Sequence, residues 1–348
     1  MLTKDSIRKL PKIDLHRHLD GDVKPHVLFE LAEKNKMNPI NVPADSPETL
    51  DHYFWKLRQE GVVALLQKGF GLVTALLQTE ENLYRVAFEE VRNLAEDGII
   101  YAEVRFAPQY HTGESVYYGH AKRNRLSYQD IIAAVSNGLR DGEKVFSVKT
   151  GLIVCIGREA ETEKGVAIAR CLDEKVVAID LACDEASYPP ERHISAYAET
   201  FTTKIKRTVH AGEFGNQPYH NIVTSINELK ADRLGHAIPL AKYPELVDVV
   251  SSGRIGIEMC PKSNKYCGFI QSYEDLQIPQ LMSHGVLISI NSDDPAMFGY
   301  TLTDTLYELV NEGYLTMEEA VATQRNAAES AFLSEHEKAK LISKVTMP

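Results

Sequence analysis

The feature that most constrains the fold is a repeated alternation of short apolar runs with segments of helical spacing. The run 176–182 (VVAIDLA) is almost continuously apolar and partly β-branched, which is typical of a strand buried in a parallel sheet. Comparable runs recur, so eight strands are predicted, at 13–15, 99–106, 150–156, 176–182, 207–213, 233–238, 255–260 and 287–292. Helical patterns separate or follow these strands, among them 25–35, 62–77, 273–284 and 317–326, the last of which is expected to close the chain. This alternation predicts parallel pairing.

Eight strand–helix units in 348 residues predict an α/β fold, a (β/α)8 TIM barrel, with the chain 1–348 forming one domain. The long interval between the first two strands is rich in helical patterns. We interpret residues 24–98 as a helical insertion after the first strand that overhangs the barrel mouth like a lid. The alternative is an open doubly wound sheet, which ordinarily carries a G-x-G-x-x-G turn after its first strand; none is present there.

Composition predicts a soluble, cytoplasmic protein that binds neither nucleic acid nor membranes. The formal net charge is −11, and the basic stretches 122–125 and 204–207 are short and isolated, unlike a phosphate-binding surface. No run of about eighteen apolar residues could span a bilayer, and residues 1–5 lack the apolar core of a signal peptide. Five cysteines without a C-x-x-C pair argue against a disulfide framework and suit a reducing compartment. The oligomeric state stays open.

The segment 16–21 (HRHLDG) follows the first predicted strand and contains two closely spaced histidines. Side chains alternate along a strand, so His16 and His18 are expected on one side and Arg17 on the other, with Gly21 in a turn just beyond. Two neutral imidazoles side by side supply half of a zinc site. Taken alone, the pair is equally compatible with two surface histidines.

Active sites of barrels lie at the carboxyl ends of the strands, and the other predicted strand ends carry matching groups. His210 and Glu213 end the fifth strand, His236 lies in the sixth, and Asp293 and Asp294 follow the eighth. Three histidines and one carboxylate converging on one mouth can bind a single Zn²⁺ and leave a position for water. The pattern therefore predicts a metal-dependent hydrolase.

These segments resemble the adenosine deaminases of the amidohydrolase superfamily. The similarity extends over nearly the whole chain in the family's order, in the segments PKIDLHRHLDG (11–21), YAEVRFAP (101–108), VVAIDLA with DE (176–185), TVHAGE (208–213), RLGHA (233–237), CPKSN (260–264) and INSDDP (290–295). The resemblance implies zinc-dependent hydrolytic deamination of adenosine and 2′-deoxyadenosine to inosine and 2′-deoxyinosine with release of ammonia. It also implies a place in purine salvage and a small-molecule purine nucleoside as the partner.

The resemblance implies one Zn²⁺ per chain, held by His16, His18, His210 and Asp293, with His18 also lining the substrate pocket. Zn²⁺ makes hydroxide available near neutral pH, which suits displacement of an amino group from an aromatic ring. Hydrogen-bonding groups behind the ligands, at Asp180 and Glu258, are expected to orient the ligands or His236.

The same resemblance implies five catalytic and substrate contacts. Glu213 would donate a proton to purine N1, and His236 would orient the attacking hydroxide. Asp294 would hydrogen-bond purine N7, Asp20 would contact the ribose 5′-hydroxyl, and the backbone at Cys183 would meet purine N3. Glu213 can act as the acid only with a raised pKa, expected from apolar walls and a nearby carboxylate such as Asp294.

Two residues depart from the family pattern. The family usually has glycine where this chain has Cys183, and a second glycine where it has Ala237. Both departures bear on substrate preference more than on reaction type. The segment 291–296 (NSDDPA) also leans toward the related adenine deaminases, whereas Asp20 favours a nucleoside. The alternative substrates are adenine and other 6-aminopurines such as methylthioadenosine or aminodeoxyfutalosine.

Three other function classes fit the sequence less well. A binuclear amidohydrolase usually needs a carboxylated lysine after the fourth strand, where residues 181–184 read Leu-Ala-Cys-Asp. Deaminases that act on nucleic acids use H-x-E with P-C-x-x-C, and both motifs are absent. A non-catalytic binding module would be expected to lack a ligand or the acid, and none is missing. Val62, Leu65 and Phe70 are expected either to gate the pocket or to pack as ordinary helix residues.

Overall fold

The computed structural model describes residues 2–34, 44–113, 125–172 and 174–346. Within these ranges one sheet of eight parallel strands runs in chain order. The strands are β1 Lys12–His18, β2 Ile99–Phe106, β3 Lys149–Gly157, β4 Val176–Ala182, β5 Lys206–Ala211, β6 Arg233–His236, β7 Gly256–Met259 and β8 Ile288–Ile290. The predicted (β/α)8 barrel is confirmed.

The barrel closes where the chain leaves β8 and meets β1. The backbone N–H of His18 donates to the carbonyl of Asp293 at 3.0 Å, and the N–H of Asp293 donates to the carbonyl of His16 at 2.9 Å. Arg17 and Asp293 form an isolated parallel bridge. The residues predicted to bind metal therefore also join the two edges of the sheet.

Three strands end two residues earlier than the apolar pattern predicts. The predictions 207–213, 233–238 and 287–292 extend past the observed ends of β5, β6 and β8. Residues at or soon after these ends adopt left-handed backbone conformations, at Gly212 (φ +76°), His236 (φ +63°), Ala237 (φ +46°) and Asp293 (φ +66°). A left-handed residue cannot continue a strand, so the chain turns at these functional positions.

The described helices occupy the intervals between strands and both ends of the chain. The α-helices are Lys4–Lys9, Pro25–Lys34, Pro47–Glu60, Val62–Ala64, Gly71–Leu76, Glu80–Glu96, Tyr128–Phe146, Thr162–Ala169, Ile194–Ala198, Pro218–Asn227, Pro244–Ser252, Pro261–Tyr266, Ile278–Ser283, Pro295–Phe298, Leu302–Asn311, Met317–Ser330 and Glu335–Lys344. Short 3₁₀ turns lie at Pro108–Tyr110, Pro190–His193, Leu240–Lys242 and Tyr273–Leu276, and a π-helical turn lies at Leu65–Phe70.

Several helix predictions need correction. The predicted helix 273–284 is broken at Gln277 (φ +47°), and the chain does not end with helix 317–326, because Glu335–Lys344 follows. Ser334 caps that last helix, with its hydroxyl accepting from the N–H of Glu337. The end of the predicted helix 25–35 and most of the basic stretch 122–125 lie outside the described residues.

The segment between β1 and β2 is helical where it is described, and it contacts the chain next to Asp294. The predicted single helix 62–77 is interrupted by the π-helical turn Leu65–Phe70. A Cβ on Gly69, within that turn, would lie 2.8 Å from Met297 Sδ. Leu65 is fully buried in the core, while Val62 and Phe70 are partly exposed.

No single helix in the described ranges is long and apolar enough to cross a membrane. The pair Val62–Leu76 and Glu80–Glu96 passes that test only when taken together, and its two parts are bent by 114°.

Candidate active site

Three histidine rings and one carboxylate from opposite sides of the barrel converge at its mouth. Nε2 of His18 lies 3.3 Å from Nε2 of His210, and Oδ1 of Asp293 lies 3.4 Å from Nε2 of both His16 and His18. Zn²⁺ binds histidine nitrogen at about 2.1 Å, so two ligand atoms on a tetrahedral ion stand about 3.4 Å apart. The observed separations match the edges of such a tetrahedron.

Two buried carboxylates fix the ring orientation of the histidines. Oε2 of Glu258 lies 2.8 Å from Nδ1 of His16, and Oδ1 of Asp180 lies 3.2 Å from Nδ1 of His210. With Nδ1 engaged, Nε2 of each ring faces the centre, and Nε2 of His16 has no hydrogen-bond partner. These contacts are the orienting role expected of Asp180 and Glu258.

The charge states of these rings also suit metal binding. Burial lowers the pKa of His18 and of His210, so both imidazoles are held neutral. Burial and the Arg105 charge oppose protonation of His16, but the carboxylates of Asp293 and Glu258 outweigh them and raise its pKa. A metal ion bound at Nε2 would take the place of that proton, because both occupy the same lone pair.

Two overlapping groups of side chains can hold a metal ion in the described residues. One consists of His16, His18 and His210, and the other of His16, His236, Cys260 and Asp293. The nitrogen and carboxylate donors, with an unpartnered Nε2 among them, fit Zn²⁺.

The side chain of Glu213 faces this cluster because the chain bends immediately before it. Gly212 has φ +76°, which glycine adopts readily, and Oε1 of Glu213 lies 3.6 Å from Nε2 of His236. Burial raises the pKa of Glu213, and the charges of Asp293 and then Glu185 raise it further. The raised pKa agrees with the sequence expectation, although the strongest neighbouring charges are these two rather than Asp294.

Asp294 and Asp20 lie close enough to each other at the mouth for their charges to interact. Burial raises the pKa of Asp294 well above its usual range, and the charges of Asp293 and Asp20 add to this effect. Burial also raises the pKa of Asp20 to about 6. Oδ1 of Asp294 has no hydrogen-bond partner within the chain, and its carboxyl lies against Gly21, in the predicted turn. An unpartnered buried carboxyl oxygen is suited to receive a ligand.

A family model described as adenosine deaminase matches residues 11–348. The chain belongs to the adenosine deaminase family. The adenosine deaminase of Clostridium acetobutylicum is 32% identical over 348 residues, which cover 99% of this chain and 100% of that protein. The adenosine deaminase of Vibrio parahaemolyticus is 34% identical, with 99% of each protein covered. The chain is therefore a hydrolase of the amidohydrolase superfamily that deaminates adenosine-type substrates.

Solved structures share the same barrel. Adenine deaminase from Arthrobacter aurescens has a TM-score of 0.84 at 25% identity, covering 97% of this chain and 98% of that one. A zinc-bound amidohydrolase from Burkholderia ambifaria has a TM-score of 0.83 at 24% identity, covering 99% and 92%. N6-methyl-AMP deaminase from Arabidopsis thaliana has a TM-score of 0.80 at 24% identity, covering 97% of each chain. At 24% identity, the last two comparisons show only that the fold is shared.

Both departures from the adenosine deaminase pattern fall at left-handed residues. Cys183 has φ +79° and Ala237 has φ +46°, a conformation that favours glycine. The Cys183 side chain is exposed, with Sγ 3.4 Å from the hydroxyl of Tyr110, which donates to Glu159 at 2.5 Å. The thiol of Cys183 and the phenol of Tyr110 therefore lie at a position where the family usually has glycine, which has no side chain.

Sequence reasoning missed Glu185, which holds the backbone at Glu213. Its carboxylate accepts from the N–H of Gly212 at 2.7 Å, from the N–H of Glu213 at 2.9 Å and from the Asn221 amide at 2.9 Å. The available signal was its place in the matched segment DE (184–185), to which no role was assigned.

Asn264 and Gly235 were also missed. The Asn264 amide lies 2.9 Å from Nδ1 of His236, and a Cβ on Gly235 would lie 2.9 Å from Cε1 of His16. Both belong to matched motifs, but their contacts join different strands and cannot be obtained from spacing.

Proposed function

We propose that this chain converts adenosine and 2′-deoxyadenosine to inosine and 2′-deoxyinosine with release of ammonia, using one Zn²⁺ per chain. The observation that carries the proposal is the convergence of His16, His18, His210 and Asp293 at tetrahedral spacing, beside the acid Glu213. The full-length adenosine deaminase relatives and the solved structure with bound zinc support it.

Zn²⁺ would be held by His16, His18, His210 and Asp293, where it supplies a nucleophile at neutral pH. Asp180 and Glu258 keep the rings of His210 and His16 turned toward that position. These two rings need no reorientation on binding, because their Nδ1 atoms are already engaged.

Glu213 donates the proton that purine N1 takes up as electrons move onto the ring. Burial and the charges of Asp293 and Glu185 raise the pKa of its carboxyl, which favours the protonated form that this donation needs. Glu185 holds the acid in place through the backbone of residues 212–213. His236, whose Nε2 lies 3.6 Å from Oε1 of Glu213, orients the nucleophile.

The substrate is held by groups around the mouth. Asp294, whose raised pKa favours the protonated form, donates to purine N7, which is an acceptor. Asp20 contacts the ribose 5′-hydroxyl, His18 lines the pocket, and the N–H of Cys183 meets purine N3.

We also propose that 1–348 is one domain whose insertion, about 24–98, acts as a lid. Arg58, within that insertion, donates to the carbonyls of Ala296 and Met297 beside Asp294, at 3.4 and 3.5 Å.

A second candidate is a deaminase of adenine or of another 6-aminopurine, such as methylthioadenosine or aminodeoxyfutalosine. The likeness to the Arthrobacter aurescens adenine deaminase, at 25% identity, favours it. So does the Cys183 side chain, which occupies space at the expected N3 contact. Asp20 favours a nucleoside, because a partly exposed carboxyl there is suited to bind a hydroxyl group.

Purified protein with one zinc per chain is incubated separately with adenosine, 2′-deoxyadenosine, methylthioadenosine, aminodeoxyfutalosine and adenine. Loss of the 6-aminopurine absorbance and release of ammonia are recorded. Glu213→Gln is the inactive comparison, and Glu245→Gln is the matched control at an exposed position.

The proposal expects the highest kcat/KM with the two nucleosides, with loss of turnover in Glu213→Gln and retention in Glu245→Gln. Turnover of adenine or a 5′-substituted nucleoside alone would overturn the proposed substrate while leaving deamination intact. No turnover of any compound by the zinc-loaded protein would overturn the proposed function as a whole.

A further inference from the structure

Asn264 is a buried amide that no role proposed so far uses. It lies in helix Pro261–Tyr266 after β7, and its side chain is shielded from solvent. Its N–H donates to the carbonyl of Cys260 at 2.9 Å, and its carbonyl accepts from the N–H of Phe269 at 2.9 Å. The backbone of Asn264 is thus held at both its N–H and its carbonyl, so the side chain starts from a fixed position.

The amide meets the ring of His236. Its Nδ2 lies 2.9 Å from Nδ1 of His236, and this is a buried hydrogen bond between groups 28 residues apart. The ring is also held edge-on by His16, with centroids 4.8 Å apart at 75°. The backbone of His236 is left-handed, and the N–H of the next residue, Ala237, donates to the carbonyl of Ala211 at 3.1 Å. These contacts hold both the ring and the backbone of His236 in one conformation.

The other ring nitrogen faces the reaction site. Nε2 of His236 is buried, has no hydrogen-bond partner, and lies 3.6 Å from Oε1 of Glu213. Asp293 belongs to the same cluster of potential ligand atoms as His236. The surroundings of Nε2 are thus rich in carboxyl oxygens.

A neutral imidazole has one N–H and one lone pair, and the partner of one nitrogen decides which the other presents. An amide N–H that donates to Nδ1 requires the lone pair there, which leaves the proton on Nε2. The opposite tautomer would place two N–H groups against each other at 2.9 Å. It would also turn a lone pair toward the oxygens of Glu213.

We propose that Asn264 selects the tautomer of His236, so that this histidine presents an N–H donor to the site rather than a lone pair. Asn264 is then a positioning residue that acts through His236. The inference deepens the proposed function: His236 orients the attacking oxygen by donating to it and does not remove a proton from it.

The tautomer is measured directly in the zinc-loaded protein labelled with ¹⁵N-histidine, by long-range ¹⁵N–¹H correlation. The His236 signals are those missing from His236→Gln. We expect an unprotonated Nδ1 and a protonated Nε2. A protonated Nδ1 would overturn the proposal, and this measurement needs neither substrate nor turnover, so its failure is separate from failure of the proposed function.

The variant Asn264→Asp replaces the donating amide with an isosteric acceptor. We expect the proton of His236 to move to Nδ1 and kcat to fall by about 10²-fold or more, with a smaller change in KM. Asn326→Asp is the matched control, since the Asn326 amide donates to the carbonyl of Ile288 at 3.2 Å on strand β8, and we expect wild-type turnover there.

Zinc content and thermal midpoint are recorded for both variants. A fall in kcat without a change of tautomer in Asn264→Asp would overturn the proposal. Wild-type kcat together with a changed tautomer would overturn it as well. If Asn264→Asp does not fold, the tautomer of the wild-type protein decides.

Discussion

Replacing Gly21 with alanine tests how closely the mouth of the barrel is packed. Gly21 lies in the turn after β1, and its φ is not positive, so the backbone itself allows alanine. A Cβ there would nonetheless lie 1.8 Å from Oδ1 of Asp294 and 2.8 Å from its Cβ. Glycine is therefore required for the room it leaves to the Asp294 carboxyl, and not for the turn that the sequence predicts.

The cost can be divided between activity and stability. Real Cβ atoms essentially never approach a heavy atom within 3.0 Å, so the carboxyl of Asp294 must retreat by about an ångström. Misplacing a group at the site by about 1 Å costs about 10²-fold in rate. Overpacking costs about 1–3 kcal/mol, and we expect the lower end, because Oδ1 of Asp294 has no hydrogen bond within the chain to break.

Gly21→Ala is assayed for kcat/KM with adenosine and for its free energy of unfolding in denaturant. Gly165→Ala is the control, because a Cβ there meets its nearest neighbour at an ordinary 3.5 Å. In the background of Asp294→Gly, which removes the clashing atoms, we expect the stability cost of Gly21→Ala to vanish. Wild-type kcat/KM in Gly21→Ala, or an unchanged stability cost in that background, would refute the steric explanation.

Three further outcomes are expected. Gly235→Ala should lose zinc faster than wild type during dialysis against a chelator, since its Cβ would press on His16 Cε1 from 2.9 Å; equal retention contradicts this. Cys183→Gly and Ala237→Gly should each raise the free energy of unfolding by about 0.5–1 kcal/mol by relieving left-handed strain, whereas the control Ala107→Gly, at φ −103°, should lower it. Burial lowers the pKa of Lys12 to about 8, so the unfolded chain binds this proton more tightly than the folded protein does. As pH rises from about 8 to about 10.5, the free energy of unfolding of wild type should therefore increase by roughly 3 kcal/mol relative to Lys12→Met. A difference between the two proteins that does not change with pH would contradict this.

The barrel could be predicted from the sequence because parallel strands buried on both faces appear as apolar runs. VVAIDLA matches β4, Val176–Ala182, residue for residue. The errors lie where the backbone becomes left-handed, at Gly212, His236 and Asp293, since no apolar pattern records the sign of φ. Side chains continue the apolar pattern at these points after the strand has ended.

Segments between β1 and β2 show a different limit. Apolar spacing over 62–77 predicts one helix, but the π-helical turn Leu65–Phe70 adds a residue to one helical turn. That turn fits against Met297 through Gly69, a contact with a segment more than 200 residues away. Local spacing carries no information about such a partner.

The candidate ligands and the carboxylates behind them, Asp180 and Glu258, could be predicted because each lies in a short motif on or just after a strand, whereas the arginine that holds both carboxylates could not. Tyr101, Glu103 and Arg105 alternate along β2, so they share one face and point into the barrel. Arg105 donates to Asp180 at 2.9 Å and to Glu258 at 2.7 Å, the two carboxylates that hold His210 and His16. Arg105 lies on β2, whereas Asp180 lies on β4 and Glu258 on β7, and only closure of the barrel brings these three strands together.

This arrangement connects the floor of the barrel to the candidate metal site. Glu103 accepts from Arg233 at 2.5 Å, and Arg233 also donates to Glu258 at 2.5 Å, so a chain of charged hydrogen bonds extends from β2 to His16. Every charge in it is buried and paired, and removing one partner would leave the others unsatisfied at a cost of about 3–5 kcal/mol. Glu258 belongs to this series of hydrogen bonds and also holds His16. Loss of Arg233 should therefore both destabilise the fold and leave the His16 ring less firmly held. The motif YAEVRF is thus better explained by the support of the site than by contact with a substrate.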